Sequence, residues 1–252
     1  RYPHIKEVAF SDDMFTAMQD RAKDLCKAYK AEIGLPFVCQ THVDFLDDEM
    51  IVALKDAGCI RVNMGIEAGN EKIRYEILKR PVKRQKIVDV FNKCHSVGLV
   101  CGAFNILGSP GETESTIWET IDLNRDAKAG FVHSTIFAPF KGTPLRKEFE
   151  ANGWMSGEPE DDYYHGCVIK LPTITADKLK AYNRVFSLYV YKPKSRYPLI
   201  HALRFLWERF PTLTNWGVRA WHKAILTLRP GYNLRRRTAV PALPSALEPV
   251  AA

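Results

Sequence analysis

The feature that most constrains this chain is a rhythm. From residue 5 to about residue 152, short apolar runs alternate with stretches of helical periodicity. Five runs occur: Ile5–Phe10, Pro36–Val43, Cys59–Ile66, Leu99–Leu107 and Phe131–Ala138. They read as near-continuous apolar segments, as strands do when both faces are buried. Helical patterns fill the intervals, at about 15–33, 47–57, 70–78, 83–97, 114–128 and 144–152. Gly34-Leu35-Pro36, Gly58 and Gly98 punctuate them, and Asp47-Asp48-Glu49 places carboxylates in a first turn, where they suit the helix dipole. Strands separated by helices in this way pair in parallel through right-handed crossovers. The expected fold class is therefore α/β, with ligands at the carboxyl ends of the strands.

The irregular residues fall at those ends. Ser11-Asp12-Asp13 follows the first run, Thr41–Asp44 the second, Gly65-Ile66-Glu67-Ala68-Gly69 the third, Gly108-Ser109-Pro110-Gly111-Glu112-Thr113 the fourth and Pro139–Thr143 the fifth. Each has a plain reading beside a functional one. The Gly108–Thr113 loop lets backbone approach a ligand before a helix N-terminus, and it is also what a tight strand-to-helix turn requires. Glu67 is a carboxylate able to accept from a ribose diol or an amine, or a solvated loop residue. Asp12 and Asp13 face a cationic group or cap the next helix. His42 is a polar contact or a buried, hydrogen-bonded histidine.

Taken in order, Phe10-Ser11-Asp12-Asp13, then Gly58–Gly69, then Asn105-Ile106-Leu107-Gly108-Ser109-Pro110-Gly111-Glu112-Thr113 resemble radical SAM enzymes, especially the branch with an upstream cobalamin-binding domain. The resemblance covers about residues 5–150. It implies a partial TIM-like (β/α)6 barrel whose first βα unit is missing here, with residues 1–152 as its second to sixth units. In that family a Cys-x3-Cys-x2-Cys loop after the first strand holds a [4Fe–4S] cluster, and S-adenosylmethionine (SAM) chelates the open iron. Reductive cleavage of SAM then starts radical chemistry, including cobalamin-dependent methylation of unactivated carbon. An electron donor such as flavodoxin or ferredoxin is implied, as is a small-molecule or lipid substrate. The resemblance places Ser11, Asp12 and Asp13 toward the SAM amino group and Glu67 toward its ribose or methionine part. Ile106, Gly108, Pro110, Gly111 and Glu112 fall on the adenine side, and Phe137 and Pro139 complete that pocket. His42 stands where relatives often carry an arginine. Lys79, Arg80, Lys83 and Arg84 are candidates to meet the SAM carboxylate.

The cysteine triplet is absent from the sequence. Cys26, Cys39, Cys59, Cys94, Cys101 and Cys167 are spaced too widely for a cluster and read as reduced thiols of a cytosolic protein. The first residue is Arg1, so truncation is the expected reason, and the chain alone is expected to be inactive.

Charge separates the C-terminal part from the rest. Residues 178–252 hold 14 Lys/Arg against Glu208 and Glu248, leaving about −5 on the remainder of a chain of net charge +7. An acidic, aromatic connector over 153–175 leads to expected helices at about 176–191, 197–209 and 214–228 within a basic cap (176–234), then a disordered tail over 235–252. Arg204, Trp207 and Arg209, then Trp216, Arg219, Trp221 and Lys223, mix cations with aromatics. A helical cap on the barrel is the preferred reading, peripheral membrane contact the second and nucleic acid the last. A non-radical α/β-barrel enzyme, with Asp12, Asp13, Glu67 and Glu112 as acid/base groups, and a non-catalytic binding module remain as alternatives.

Overall fold

The structure is a computed structural model, and it describes residues 4–158 and 167–210. Five parallel strands form one sheet in sequential order: β1 (Val8–Ala9), β2 (Phe37–Thr41), β3 (Cys59–Glu67), β4 (Val100–Leu107) and β5 (Phe131–Ile136). The sheet curls into a half-barrel. Between the strands run α1 (Gln19–Glu32), α2 (Asp48–Asp56), a π-helical turn (Ile73–Ile77) with α3 (Arg84–Ser96), and α4 (Glu114–Asp126). After β5 come α5 (Pro144–Ala151), α6 (Ala176–Tyr191) and α7 (Tyr197–Arg209).

Register decides which side chains meet the helices. Cys39, Val62, Met64, Ile66, Cys101, Ala103 and Leu107 point outward and are completely buried. Against them lie Met50, Ile51 and Leu54 of α2, Ile87, Phe91 and Cys94 of α3, and Ile117 and Ile121 of α4. The alternate set on each strand faces the concave side. There Phe131 and His133 are exposed, and Gln40, Arg61 and Phe104 are half-buried. The helix-facing set is mostly apolar, and its polar members are hydrogen-bonded: Asn105 to Asn124, Thr41 to Thr16 and Ser134 to Asn183.

Helices α2, α4, α5 and α6 begin where polar side chains satisfy their first amides. The Asp47 carboxylate accepts from Met50 N, and Thr113 and Thr116 form a reciprocal capping box at α4. Thr143 caps α5, with Pro144 in its first turn. Strand β1 is shorter than the apolar run predicts. It pairs with β2 alone, and beyond that two-residue ladder Val8 N to Pro36 O and Phe10 N to Val38 O anchor it.

The connector and the first two C-terminal helices pack on this frame. Tyr182 and Tyr189 of α6 are buried around Trp118 of α4, whose ring lies 4.6 Å from that of Tyr189. Arg125 donates to the carbonyls of Tyr189, Val190 and Lys192, holding the end of α6. Arg204 lies 4.6 Å over the Tyr182 ring, and Arg184 lies 4.1 Å over Trp207. These cations and aromatics serve the packing of α6 and α7. The expected third helix, the tail, and Trp216, Arg219, Trp221 and Lys223 lie outside the described residues.

Candidate functional site

Five strand ends meet along one rim. At β1, Phe10 N bonds Val38 O and Phe15 N bonds Gln40 O, so Ser11–Met14 loop out between two anchored points. Ser11, Asp12 and Asp13 are all exposed there. They do not cap a helix: α1 begins after Met18, which makes no side-chain cap. The capping reading of the two aspartates therefore does not hold. Behind the loop, the buried Thr16 and Thr41 hydroxyls bond at 2.5 Å and tie it to β2.

His42 opens a short 3-10 turn after β2. Its Nδ1 accepts from Asp44 N at 3.3 Å and lies 3.4 Å from the Asp44 carboxylate. Burial lowers the pKa of this imidazole, and Arg80 and Lys86 push it the same way against Asp44.

Glu67 ends β3 in the left-handed region, with φ 63°, where the β3–β4 register slips. A non-glycine residue there is strained, a condition that clusters at functional sites. Burial raises the pKa of Glu67, and Arg80, at 3.8 Å, only partly opposes this. The carboxylate thus keeps capacity for further donors. Of the four candidate cations, Arg80 meets Glu67, Arg84 is engaged with Asp126 at 2.5 Å, and Lys79 lines a neighbouring cavity.

Nothing in the residue pattern marks Arg74. Its side chain is 1% exposed and donates from Nε to Val82 O and from Nη1 to Ala68 O and Gly69 O. It braces the loop after Glu67 from within. Only its position on the helical turn behind a strand end could have marked it, and many solvated arginines share that position.

At β4, Ile106 is half-buried on the concave side, paired with Thr135. The turn beyond it folds inward. Gly108 has φ 92°, and a Cβ there would lie 2.7 Å from Ile169 Cδ1 and 3.2 Å from Leu179 Cδ1. One oxygen of Glu112 accepts from Gly108 N and Ser109 N. Glu112 and Pro110 are buried, and Gly111 is exposed. So the Glu112 side chain serves the turn itself, and the ligand contacts open to this segment are Ile106 and the Gly111 backbone. Burial pushes the Glu112 carboxyl up to about 7, against those two backbone donors.

At β5, Phe137 N bonds Leu107 O at 2.7 Å, extending the pairing past the strand, and its ring packs on Phe149. Pro139 is buried, and its carbonyl accepts from Arg146, which is fixed by Glu150 and Glu158. Phe137, Pro139, Phe140 and Leu145 line one side of a cavity of about 460 Å³; Ile77, Leu78 and Lys79 line the other. Two of the predicted adenine-side residues thus share a mostly apolar cavity at the rim.

SAM would need carboxylate acceptors, an apolar slot and free backbone polar groups on one rim. Glu67, the Phe137–Pro139 cavity and the Ile106–Gly111 edge supply these. The cysteines do not fit a cluster. Cys26, Cys39, Cys59, Cys94 and Cys101 are buried, and no group of three His, Cys, Asp or Glu able to hold a metal occurs among the described residues.

The sequence profile of the radical SAM superfamily matches residues 1–123. An uncharacterized methyltransferase of Pyrococcus horikoshii is 27% identical over 199 residues, covering 75% of this chain and 42% of the relative. The cytidylyl-2-hydroxyethylphosphonate methyltransferase of Streptomyces wedmorensis is 28% identical over 170 residues, covering 64% of this chain and 31% of the relative. This chain therefore spans less than half the length of either protein. Among solved structures, the radical S-adenosylmethionine methyltransferase TsrM from Kitasatospora setae, with cobalamin and a [4Fe–4S] cluster bound, shares the fold. Its TM-score is 0.51 at 20% identity, over 62% of this chain and 30% of that one. The profile match and the parallel half-barrel agree: residues 1–123 of this chain are a radical SAM superfamily segment.

Proposed function

We propose that this chain forms most of the SAM pocket of a radical SAM methyltransferase in the cobalamin-dependent branch. The observation that carries the reading is the convergence of Ser11–Asp13, His42, Glu67, Ile106–Gly111 and Phe137–Pro139 on one rim of a parallel half-barrel. When bound beside a reduced iron–sulfur centre, SAM supplies radical-generating chemistry. This chain's part is to bind and orient it. Glu67 accepts from the ribose hydroxyls or the ammonium group, and Asp12 and Asp13 offer negative charge to the same ammonium. The backbone of Gly111 and of Phe137–Pro139 holds the adenine edge, and His42 offers its imidazole at the same rim. The six cysteines supply no ligands to the cluster. The curated methyltransferases and the cobalamin-bound structural relative support the choice of branch.

The test is calorimetric titration of this chain with SAM and with S-adenosylhomocysteine, comparing wild type with Glu67→Gln. Weak binding of both is expected, and Glu67→Gln should weaken it at least fivefold, or about 1 kcal/mol. Equal binding by the two proteins, or no binding of either compound, refutes the reading.

A peripheral membrane contact belongs to the same proposal. Leu199, Leu203 and Leu206 are 67%, 38% and 45% exposed on α7, within a sector of roughly 60°. Lys192, Lys194, Arg196 and Arg209 flank them in sequence, the composition of an interfacial helix. No helix among the described residues is long and apolar enough to cross a membrane. Leu203→Asp with Leu206→Asp should lower co-sedimentation with phosphatidylglycerol vesicles severalfold; an unchanged bound fraction refutes the contact.

A further inference from the structure

The concave face of the sheet carries a second set of groups that the rim does not use. The β2–β3 and β3–β4 pairings place Gln40, Asn63 and Gly102 side by side, and the β4–β5 pairing adds Phe131 and then Phe104 with His133. Arg61 lies one concave position below Asn63, with its guanidinium 5.3 Å over the Phe131 ring. All point to the same side, because residues paired in a parallel register share a face. Glu67 stands four residues further along β3, and its carboxylate folds back over Gly65, one concave position above Asn63.

Two of its polar atoms are buried without a partner. Asn63 is 8% exposed, and its Oδ1 accepts no hydrogen bond. Arg61 Nε is likewise buried and donates to nothing. Buried polar atoms cost about 1–3 kcal/mol when unsatisfied, so such a pair on an otherwise well-bonded sheet points to a ligand. Gly102 keeps the amide in place: a Cβ there would lie 2.1 Å from Asn63 Oδ1.

The chemistry of the floor is one-sided. Among Gln40, Arg61, Asn63, Phe104, Phe131 and His133 there is a guanidinium, an imidazole, two amides and two aromatic rings, and no carboxylate. Arg61 asks for an acceptor, best an anionic oxygen, and Asn63 Oδ1 asks for a donor about 6–7 Å further along the strand. We infer that the inner floor of this half-barrel binds a substrate bearing an oxyanion, a carboxylate or a phosph(on)ate, together with a hydroxyl or amine. Arg61 takes the oxyanion, Asn63 the donor, and Phe104 and Phe131 flank the carbon chain between them. This rests on the proposed function, in that the rim above is left to SAM.

The experiment is side-chain and backbone 15N NMR of this chain during titration with glycerol 1-phosphate, glycerate and, as a neutral control, glycerol. One or both acids should shift the Arg61 Nε–H and Asn63 side-chain amide signals, and glycerol should not. The phosphate and carboxylate arms decide which oxyanion is preferred. Arg61→Gln should raise the dissociation constant at least tenfold. Should that variant not overlay the wild-type spectrum, Asn63→Leu, which removes the acceptor for the substrate's hydroxyl or amine, should raise the dissociation constant at least fivefold. Glycerol binding as well as the acids, neither acid shifting these signals, or undiminished affinity in the variants overturns the inference. S-adenosylhomocysteine added to the same samples should shift Glu67 and Gly111 amides. Loss of those shifts alone sinks the SAM reading, and loss of the floor shifts alone sinks this one.

Discussion

Glutamine at position 112 should make this protein less sensitive to alkaline pH. Glu112 is completely buried, one oxygen holds Gly108 N and Ser109 N, and its other oxygen, Oε1, has no partner. Burial raises its pKa from 4.5 to about 7, so the folded state binds its proton more tightly than the unfolded chain. The sign follows: stability from this group is fully present below about pH 4.5 and is lost as pH rises through about 7. At about 1.4 kcal/mol per unit, that loss comes to about 3 kcal/mol by pH 8. Glutamine keeps the acceptor for both amides and carries no charge. Urea unfolding followed by tryptophan fluorescence between pH 4.5 and 8 measures both proteins. The stability of Glu112→Gln relative to wild type should climb by about 3 kcal/mol across that window. Other titrating groups, including Glu67 and His42, are common to both and cancel in the difference. Parallel pH profiles for the two proteins, or a relative loss for the glutamine variant as pH rises, would show that the carboxylate is not held as described. Glu112→Ala is the control. It leaves two backbone donors unsatisfied and should be less stable than Glu112→Gln throughout, by about 2 kcal/mol or more.

Two other perturbations address the loops behind the rim. Gly108→Ala should cost about 1–3 kcal/mol in the same unfolding assay, because φ 92° is strained for an L side chain and the methyl group would press on Ile169; a neutral effect would mean that the turn relaxes freely. Arg74→Leu removes the donors for three carbonyls and should cost roughly 3 kcal/mol, with faster amide exchange at Ala68 and Gly69; unchanged exchange would contradict the bracing role.

Much of the architecture was legible because it depends on local patterning. Strands β2 to β5 begin within about two residues of their apolar runs, and α6 and α7 occupy 176–191 and 197–209 as their periodicity predicts. The position of Glu67, Gly108 and Phe137 at strand ends follows from the same pattern. The inward turn of Glu112 was not legible. Whether a loop carboxylate faces a ligand or its own backbone depends on what packs on its turn, here Ile169 and Leu179 against Gly108, more than 55 residues later in the chain. The length of β1 was not legible either, since an edge strand is limited by its one neighbour and not by its own apolarity.

The sequence by itself determined the parallel α/β class, the order of the strands and the set of residues available to a rim. Periods of 2 and 3.6 and the glycine and proline breaks are properties of adjacent residues. Tertiary structure alone decided which of those residues share a surface. Arg61, Asn63, Phe131 and His133 became neighbours through parallel register, and a one-residue shift in any pairing would have turned them toward the helices. Likewise, burial and not residue type set Glu112 apart from Asp12 and Asp13. A carboxylate's chemistry follows from the water and donors around it, and those are fixed only when the chain has folded.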